Sequence, residues 1–184
     1  AIDLALDFTL ADSYKSANQK ARIISEAWTE RNVFCCECGS TLEKEKTNAS
    51  VLDFTCRKCH KNFELKSTRG NFAKKLPDGA FASMMSRLSD VSSPDFFFLT
   101  YDLKSTSVTN FFAVPTYFLD ETVIEKRKPL RPDARRAGWV GCNIVMGRIP
   151  EAGKIFYVRN SKILDKSIVM EAWSRTSFLR RAES

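Results

Sequence analysis

Four cysteines stand as two Cys-x-x-Cys pairs, Cys35 with Cys38 and Cys56 with Cys59. Each pair on a tight turn offers two sulfurs to one tetrahedral ion, and the interval between the pairs lets two such turns face each other. This is the spacing of a four-thiolate zinc site. Four protein thiolates leave no open coordination position, so the expected role of the ion is structural. Gly39, just after the first pair, supplies the positive φ that such a turn needs. Cys36 and His60 adjoin the pairs and are read as bystanders, and Cys142 as a small buried residue.

Threaded through the second pair is another set, Asp53 and the "ELK" of Glu64 to Lys66. Alternate residues of a strand share a face, so Glu64 and Lys66 point one way while Phe63 and Leu65 point to the core. In "VLDFT" the same alternation puts Val51 with Asp53, and Leu52 with Phe54. Paired as an antiparallel hairpin, the two stretches bring Asp53 beside Glu64 and Lys66, with Cys56 and Cys59 at the tip. A zinc ion there would pin the register that assembles the acids. Two carboxylates suit magnesium, which polarises a phosphate and lowers the pKa of an attacking water. A neighbouring lysine can orient the water or stabilise developing charge. This is the acid, acid, lysine pattern called PD-(D/E)xK, although Leu52 stands where that name has proline.

The elements that must carry these groups follow from periodicity. Tyr14, Ala17, Ala21, Ile24 and Trp28 recur at helical spacing, with Ser13 as the expected N-cap. A second amphipathic helix presents Phe81, Met84, Met85 and Leu88. Buried strands are expected at "FFFLTY" from Phe96, "NFFAVP" from Asn110, "CNIVMG" from Cys142 and "KIFYVR" from Lys154. A last helix spans about Ser167 to Leu179. The expected class is α/β, one central mixed sheet flanked by helices. The 184 residues carry a net charge of +7, which favours a polyanionic partner. No apolar run is long enough for a membrane span, and the start does not read as a signal peptide. It lacks an initiator Met, so the natural N-terminus is expected to be trimmed or replaced. Clustered cysteines without an export signal point to a reducing compartment.

Taken in order, "YKSANQKARIISEAW", the spaced cysteines, "VLDFTCRKCHKNFELKSTRGNF", "DGAFASMMSRL", "PDFFFLTY", "KRKPLRPDARRAGWVGCNI" and "GKIFYV" closely resemble the DpnI-type methyl-directed restriction endonucleases. The resemblance runs from about Tyr14 to Leu179. It implies a PD-(D/E)xK restriction-endonuclease-like fold, with residues 1–184 as the nuclease domain and 35–59 as a zinc-binding insert. It further implies magnesium-dependent cleavage of double-stranded DNA at GATC sites carrying 6-methyladenine, by a monomer in a bacterial or archaeal cytoplasm. By matching position, Asp53, Glu64 and Lys66 are the catalytic residues, with the Leu65 carbonyl as a further magnesium ligand. Cys35, Cys38, Cys56 and Cys59 are then the zinc ligands. The family continues into a C-terminal winged-helix domain, which is expected to be absent beyond "FLRRAES". Two competing readings are a non-cleaving reader of adenine-methylated DNA and a zinc ribbon that binds RNA or a transcription partner.

Residues 126–136 hold Lys126, Arg127, Lys128, Arg131, Arg135 and Arg136 against the acid Asp133. Pro129 and Pro132 make this a stiff loop rather than a helix. A methylated adenine adds an apolar bump beside its major-groove donor and acceptor. Leu130, Pro132 and Trp139 are the expected methyl-reading surface, with the glycines around Trp139 allowing a close approach to a partner. Lys126, Arg127, Arg131, Arg135 and Arg136, with Arg69, Lys74 and Lys75 after the "ELK" strand, are the expected contacts to DNA.

Overall fold

The computed structural model describes residues 1–46, 52–90 and 92–182 of the chain. Val51, Thr47 and Asn48 of the charged "EKEKTN" stretch, and the last two residues of "FLRRAES", lie outside the described residues. Helix α1 (Ala17–Asn32) leads to strands β1 (Leu42–Lys44), β2 (Phe54–Cys56), β3 (Asn62–Arg69) and β4 (Lys75–Ala80). Helix α2 (Phe81–Leu88) precedes β5 (Asp95–Asp102), β6 (Ser107–Val114), β7 (Ile124–Lys126) and β8 (Gly141–Val145). Strands β9 (Ile155–Arg159) and β10 (Lys162–Ile163) and helix α3 (Lys166–Ala182) complete the order.

The main sheet runs β1-β2-β3-β5-β6-β9-β10. Among the described residues, only β3 and β5 pair in parallel; their connection passes through β4 and α2, as a parallel pair requires a crossover. The fold is therefore a mixed α/β one, with helices against the sheet. It differs from the one-sheet expectation in a second sheet, β4-β8-β7, where the expected "CNIVMG" strand pairs with β4 and β7 instead of joining the main sheet.

Strand β5 explains the packing. Its "FFFLT" run is buried on both faces, as expected of a strand with layers on either side. Phe97 and Leu99 join Ile24 and Trp28 of α1 and Val169 and Trp173 of α3 in one core cluster. Phe96 and Phe98 join Met84 of α2, Ile124 of β7 and Cys142 and Ile144 of β8 in the other. Phe63 stacks on Phe97 at 4.2 Å between ring centres, tying β3 to the α1 and α3 side. Full burial of such side chains stabilises by roughly 1.5–3 kcal/mol each.

Helix α1 begins later than its apolar spacing suggests. Ser16, not Ser13, is the N-cap, its hydroxyl accepting from the Gln19 amide at 3.4 Å. Tyr14 lies before the helix and is exposed, because the preceding 3-10 turn (Phe8–Ala11) occupies the N-terminal flank. No helix of the described residues is long and apolar enough to cross a membrane.

Candidate active site and thiol cluster

The two cysteine turns are copies of one backbone design. In the first, the Cys35 amide donates to the Ser40 carbonyl and the Gly39 amide donates to the Cys35 carbonyl, both at 2.7 Å. In the second, the Cys56 amide donates to Lys61 and the His60 amide to Cys56, both at 2.8 Å. The fifth residue of each turn is left-handed, Gly39 at φ 79° and His60 at φ 65°. His60 is thus the second turn's counterpart of Gly39, a backbone role for the bystander residue. The four Sγ atoms of Cys35, Cys38, Cys56 and Cys59 all lie within 4.8 Å of one another. The closest approaches are Cys35 to Cys59 at 3.5 Å and Cys38 to Cys56 at 3.4 Å. Sulfurs on a tetrahedral zinc at about 2.3 Å stand about 3.8 Å apart, so the donor set could hold zinc. Cys36 is buried in the core outside this group. Helix α3 closes over the first turn: the Lys166 ammonium donates to the Gly39 carbonyl at 2.7 Å, and the Trp173 indole donates to Glu37 at 2.5 Å.

Strand β2 carries the second turn directly into β3. Phe54 pairs with Phe63 and Thr55 with Asn62 in antiparallel register. The regular strand starts at Phe54, one residue after Asp53, yet the Asp53 amide still donates to the Phe63 carbonyl at 2.9 Å. The Asp53 carboxylate folds over the strand edge, where Oδ2 accepts from the Leu65 amide at 2.7 Å. A residue's amide and carbonyl leave an extended strand by the same edge, so the Leu65 carbonyl is aimed to the Asp53 side.

Glu64 and Lys66 face the other way from Phe63, on the side of Phe96 and Phe98, their register partners. There they meet β4 and α2. Lys66 Nζ lies 3.3 Å from Glu64 Oε1 and 3.2 Å from Asp78 Oδ2 on β4. The second oxygen of Glu64 accepts from the guanidinium of Arg87 on α2. Behind Asp53, the buried Glu26 of α1 binds Arg22 at 2.7 Å and Lys44 at 3.1 Å, and Arg22 reaches Asp53 at 3.7 Å. Glu64, Asp78 and Arg87 line a cleft of about 850 Å³ with Leu52, Ser83 and Pro94.

Burial raises the Asp53 carboxyl above its ordinary value, the negative charges of Glu26 and Glu64 add to this, and the Leu65 amide and Arg22 oppose it. Burial is the largest of these influences, and the four carboxylates of the region, Glu26, Asp53, Glu64 and Asp78, are matched by Arg22, Lys44, Lys66 and Arg87. Burial alone would lower Lys66, but Glu64 and Asp78 outweigh it and hold the ammonium above an ordinary lysine. Spacing revealed Asp53, Glu64 and Lys66. It did not reveal Asp78, Arg87, Glu26 or Arg22, which lie on other elements; the "PD" of Pro77 and Asp78 was the one local hint.

The second sheet joins this centre to the basic loop. Across it, Asp78 pairs with Cys142, and Cys142 with Lys126 at the loop's root. At the usual strand spacing this puts β7 about 10 Å from β4. Cys142 is small and buried, and burial together with Asp78 pushes its thiol up to about 11. The loop is not helical and closes on itself: Arg127 donates to Gly141 at 2.9 Å, Leu130 to Trp139 at 2.9 Å, and Gly138 to Leu130 at 3.1 Å. Lys126, Arg127, Lys128, Arg131, Pro132, Arg135 and Arg136 are exposed, while Leu130 and Trp139 are half-buried. Gly141 serves a contact within the chain, since a Cβ there would lie 2.7 Å from the Trp139 ring. The Arg136 guanidinium covers that ring at 4.6 Å. Arg69 and Lys74 are exposed, but the Lys75 ammonium sits on both oxygens of Glu125 at 2.8 Å.

A mixed α/β protein with a four-thiol cluster suited to zinc defines the class. The family model described as DpnI, Dam-replacing family, matches residues 2–182 of the 184, and the chain belongs to that family. Membership points to a methyl-directed restriction enzyme of the nuclease type and to binding of methylated DNA.

Proposed function

We propose that this chain is a magnesium-dependent endonuclease that cuts double-stranded DNA at GATC sites carrying 6-methyladenine. The observation that carries the reading is the meeting of Asp53, Glu64 and Lys66 around one strand, in a chain of the DpnI family. Two carboxylates and a backbone carbonyl are the oxygen donors that magnesium takes. Asp53 and Glu64 would hold it through their carboxylates, with the Leu65 carbonyl as a third donor. When bound, the ion supplies phosphate polarisation and an acidified water. Asp53 is oriented by the Leu65 amide. Lys66, kept charged by Glu64 and Asp78, sets a positive charge against the negative charge that develops on the phosphate. The zinc site of Cys35, Cys38, Cys56 and Cys59 holds the β2–β3 turn, within a nuclease unit of residues 1–184 whose segment 35–59 is the insert.

Specificity is assigned to the loop. Arg127, Arg131, Arg135 and Arg136, with Lys126, Arg69 and Lys74, contact phosphates or guanine edges; Lys75 acts mainly by bracing Glu125. Leu130, Pro132 and Trp139 form the apolar surface for the methyl group. A single methyl contributes only about 1–3 kcal/mol, so strong discrimination draws on both methylated adenines of the site. Free thiols fit a reducing cytoplasm, bacterial or archaeal, and the chain acts as a monomer.

The test is cleavage of plasmids with methylated or unmethylated GATC sites, with and without magnesium, alongside Glu64→Ala. Magnesium-dependent cutting of the methylated plasmid alone is expected. No cutting of either plasmid would leave a non-cleaving reader; equal cutting would keep the nuclease and remove the methyl reading.

A further inference from the structure

The mechanism above leaves one cation of the cleft without a task. Arg87 reaches from the last turn of α2 and donates to Glu64 Oε2. Lys66 already meets the other Glu64 oxygen at 3.3 Å, so both oxygens of a proposed metal ligand face cations. The two cations are not held alike. Lys66 has a second anchor in Asp78 at 3.2 Å, whereas Glu64 is the carboxylate that Arg87 engages. The Arg87 guanidinium lies 4.8 Å over the Phe96 ring, and its Nε is buried with no acceptor among the described residues. A guanidinium stacked on a ring at the wall of a cleft, with its inner Nε donor unused, is prepared for an anion that Glu64 alone does not satisfy. Its fork of donors matches the oxygens of a phosphate.

Resting on the cleavage reading, we propose that Arg87 is an exchangeable anion ligand. It pairs with Glu64 in this structure and passes to a non-bridging oxygen of the scissile phosphate when Glu64 takes up a divalent cation. Arg87 and the cation then compete for one carboxylate before DNA arrives, and act together after it arrives. A residue that merely orients Glu64 would behave in the opposite sense toward the cation, because its removal would weaken cation binding.

The experiment uses the full, zinc-loaded chain and Mn²⁺ as the probe. Mn²⁺ binding without DNA is measured by titration calorimetry, with Glu64→Ala identifying the site, and cleavage of methylated plasmid is measured in parallel. Arg87→Met is expected to bind Mn²⁺ about fivefold or more tighter and to cut about 100-fold slower. Arg87→Lys, which keeps the charge without the fork, should lie between Arg87→Met and the unsubstituted chain on both measures. Should Arg87→Met fail to melt cooperatively, Arg87→Lys decides by the same two directions. Weaker or unchanged Mn²⁺ affinity, or unchanged cutting, overturns the proposal. If the unsubstituted chain does not cut, the nuclease reading falls and this one with it; if it cuts and Arg87→Met cuts equally, only the role of Arg87 falls.

Discussion

The β2–β3 hairpin carries two polar clusters a few residues apart, and they are built on opposite principles. At its turn, four thiols come from two backbone turns of the same design and converge on one point. At its open end, Asp53, Glu64, Asp78 and Glu26 come from four different segments and are interleaved with Lys66, Arg87 and Arg22. The first cluster is closed, with every donor directed inward. The second borders a cleft, and its charges are paired with one another in ways that the proposed substrate and cation would rearrange. A site that must only hold can be made locally; a site that must exchange partners draws groups from several elements.

The difference is broken most severely at the thiols. Cys56→Ser should abolish cooperative melting, or lower the melting temperature far more than any substitution in the cleft. Structural zinc contributes on the order of 10 kcal/mol in zinc-finger peptides. Zinc content by mass spectrometry and thermal melting check this, and a strong chelator should reproduce the effect in the unsubstituted chain. Glu64→Ala is expected to do the reverse, removing detectable cleavage while leaving the melting transition cooperative.

Lys66→Met should lower the cleavage rate by about 10²–10³-fold while methylated duplex still binds, measured by single-turnover cutting and by a mobility shift. It also carries a pH signature. Its folded pKa lies above the ordinary 10.5, so its favourable contribution is present below 10.5 and is lost as pH rises through the higher folded value. The melting temperature of Lys66→Met should accordingly show a weaker alkaline decline than that of the unsubstituted chain.

Smaller effects ask whether the basic loop belongs with the cleft. Trp139→Ala should reduce the preference for methylated over unmethylated duplex by about tenfold, in line with one methyl contact. Equal loss of affinity for both duplexes would make Trp139 a brace for the loop. Arg135→Ala should weaken binding only a few-fold and lower the salt dependence by about one phosphate contact.

Much of the thiol cluster could be read from residue order, because Cys-x-x-Cys is a local geometry and the left-handed position after it needs only Gly39 or its equivalent. The shared face of Glu64 and Lys66 was legible for the same reason, since strand parity is local. Asp53 was placed near them by the hairpin, but its fold-over onto the Leu65 amide follows from β2 beginning one residue late. Trp139 shows a local signal misleading in part: its neighbouring glycines suggested room for a partner, and Gly141 instead makes room for the tryptophan's own ring. Arg87 was hidden because a helix with Met84, Met85 and Leu88 on one face reads as having its polar residues outside. Only the crossover from β3 through α2 to β5 turns that residue inward.

By itself, then, the order of residues determined what depends on near neighbours: the paired turns, the two-residue alternation of "FELK", the doubly buried "FFFLT" strand and the excess of positive charge. The tertiary structure decided which distant groups share a dielectric environment: Asp78 against Lys66, Arg87 against Glu64, Glu26 behind Asp53. Backbone geometry has a fixed short period that spacing displays. Electrostatic neighbourhoods depend on how layers pack, and no period along the chain records that.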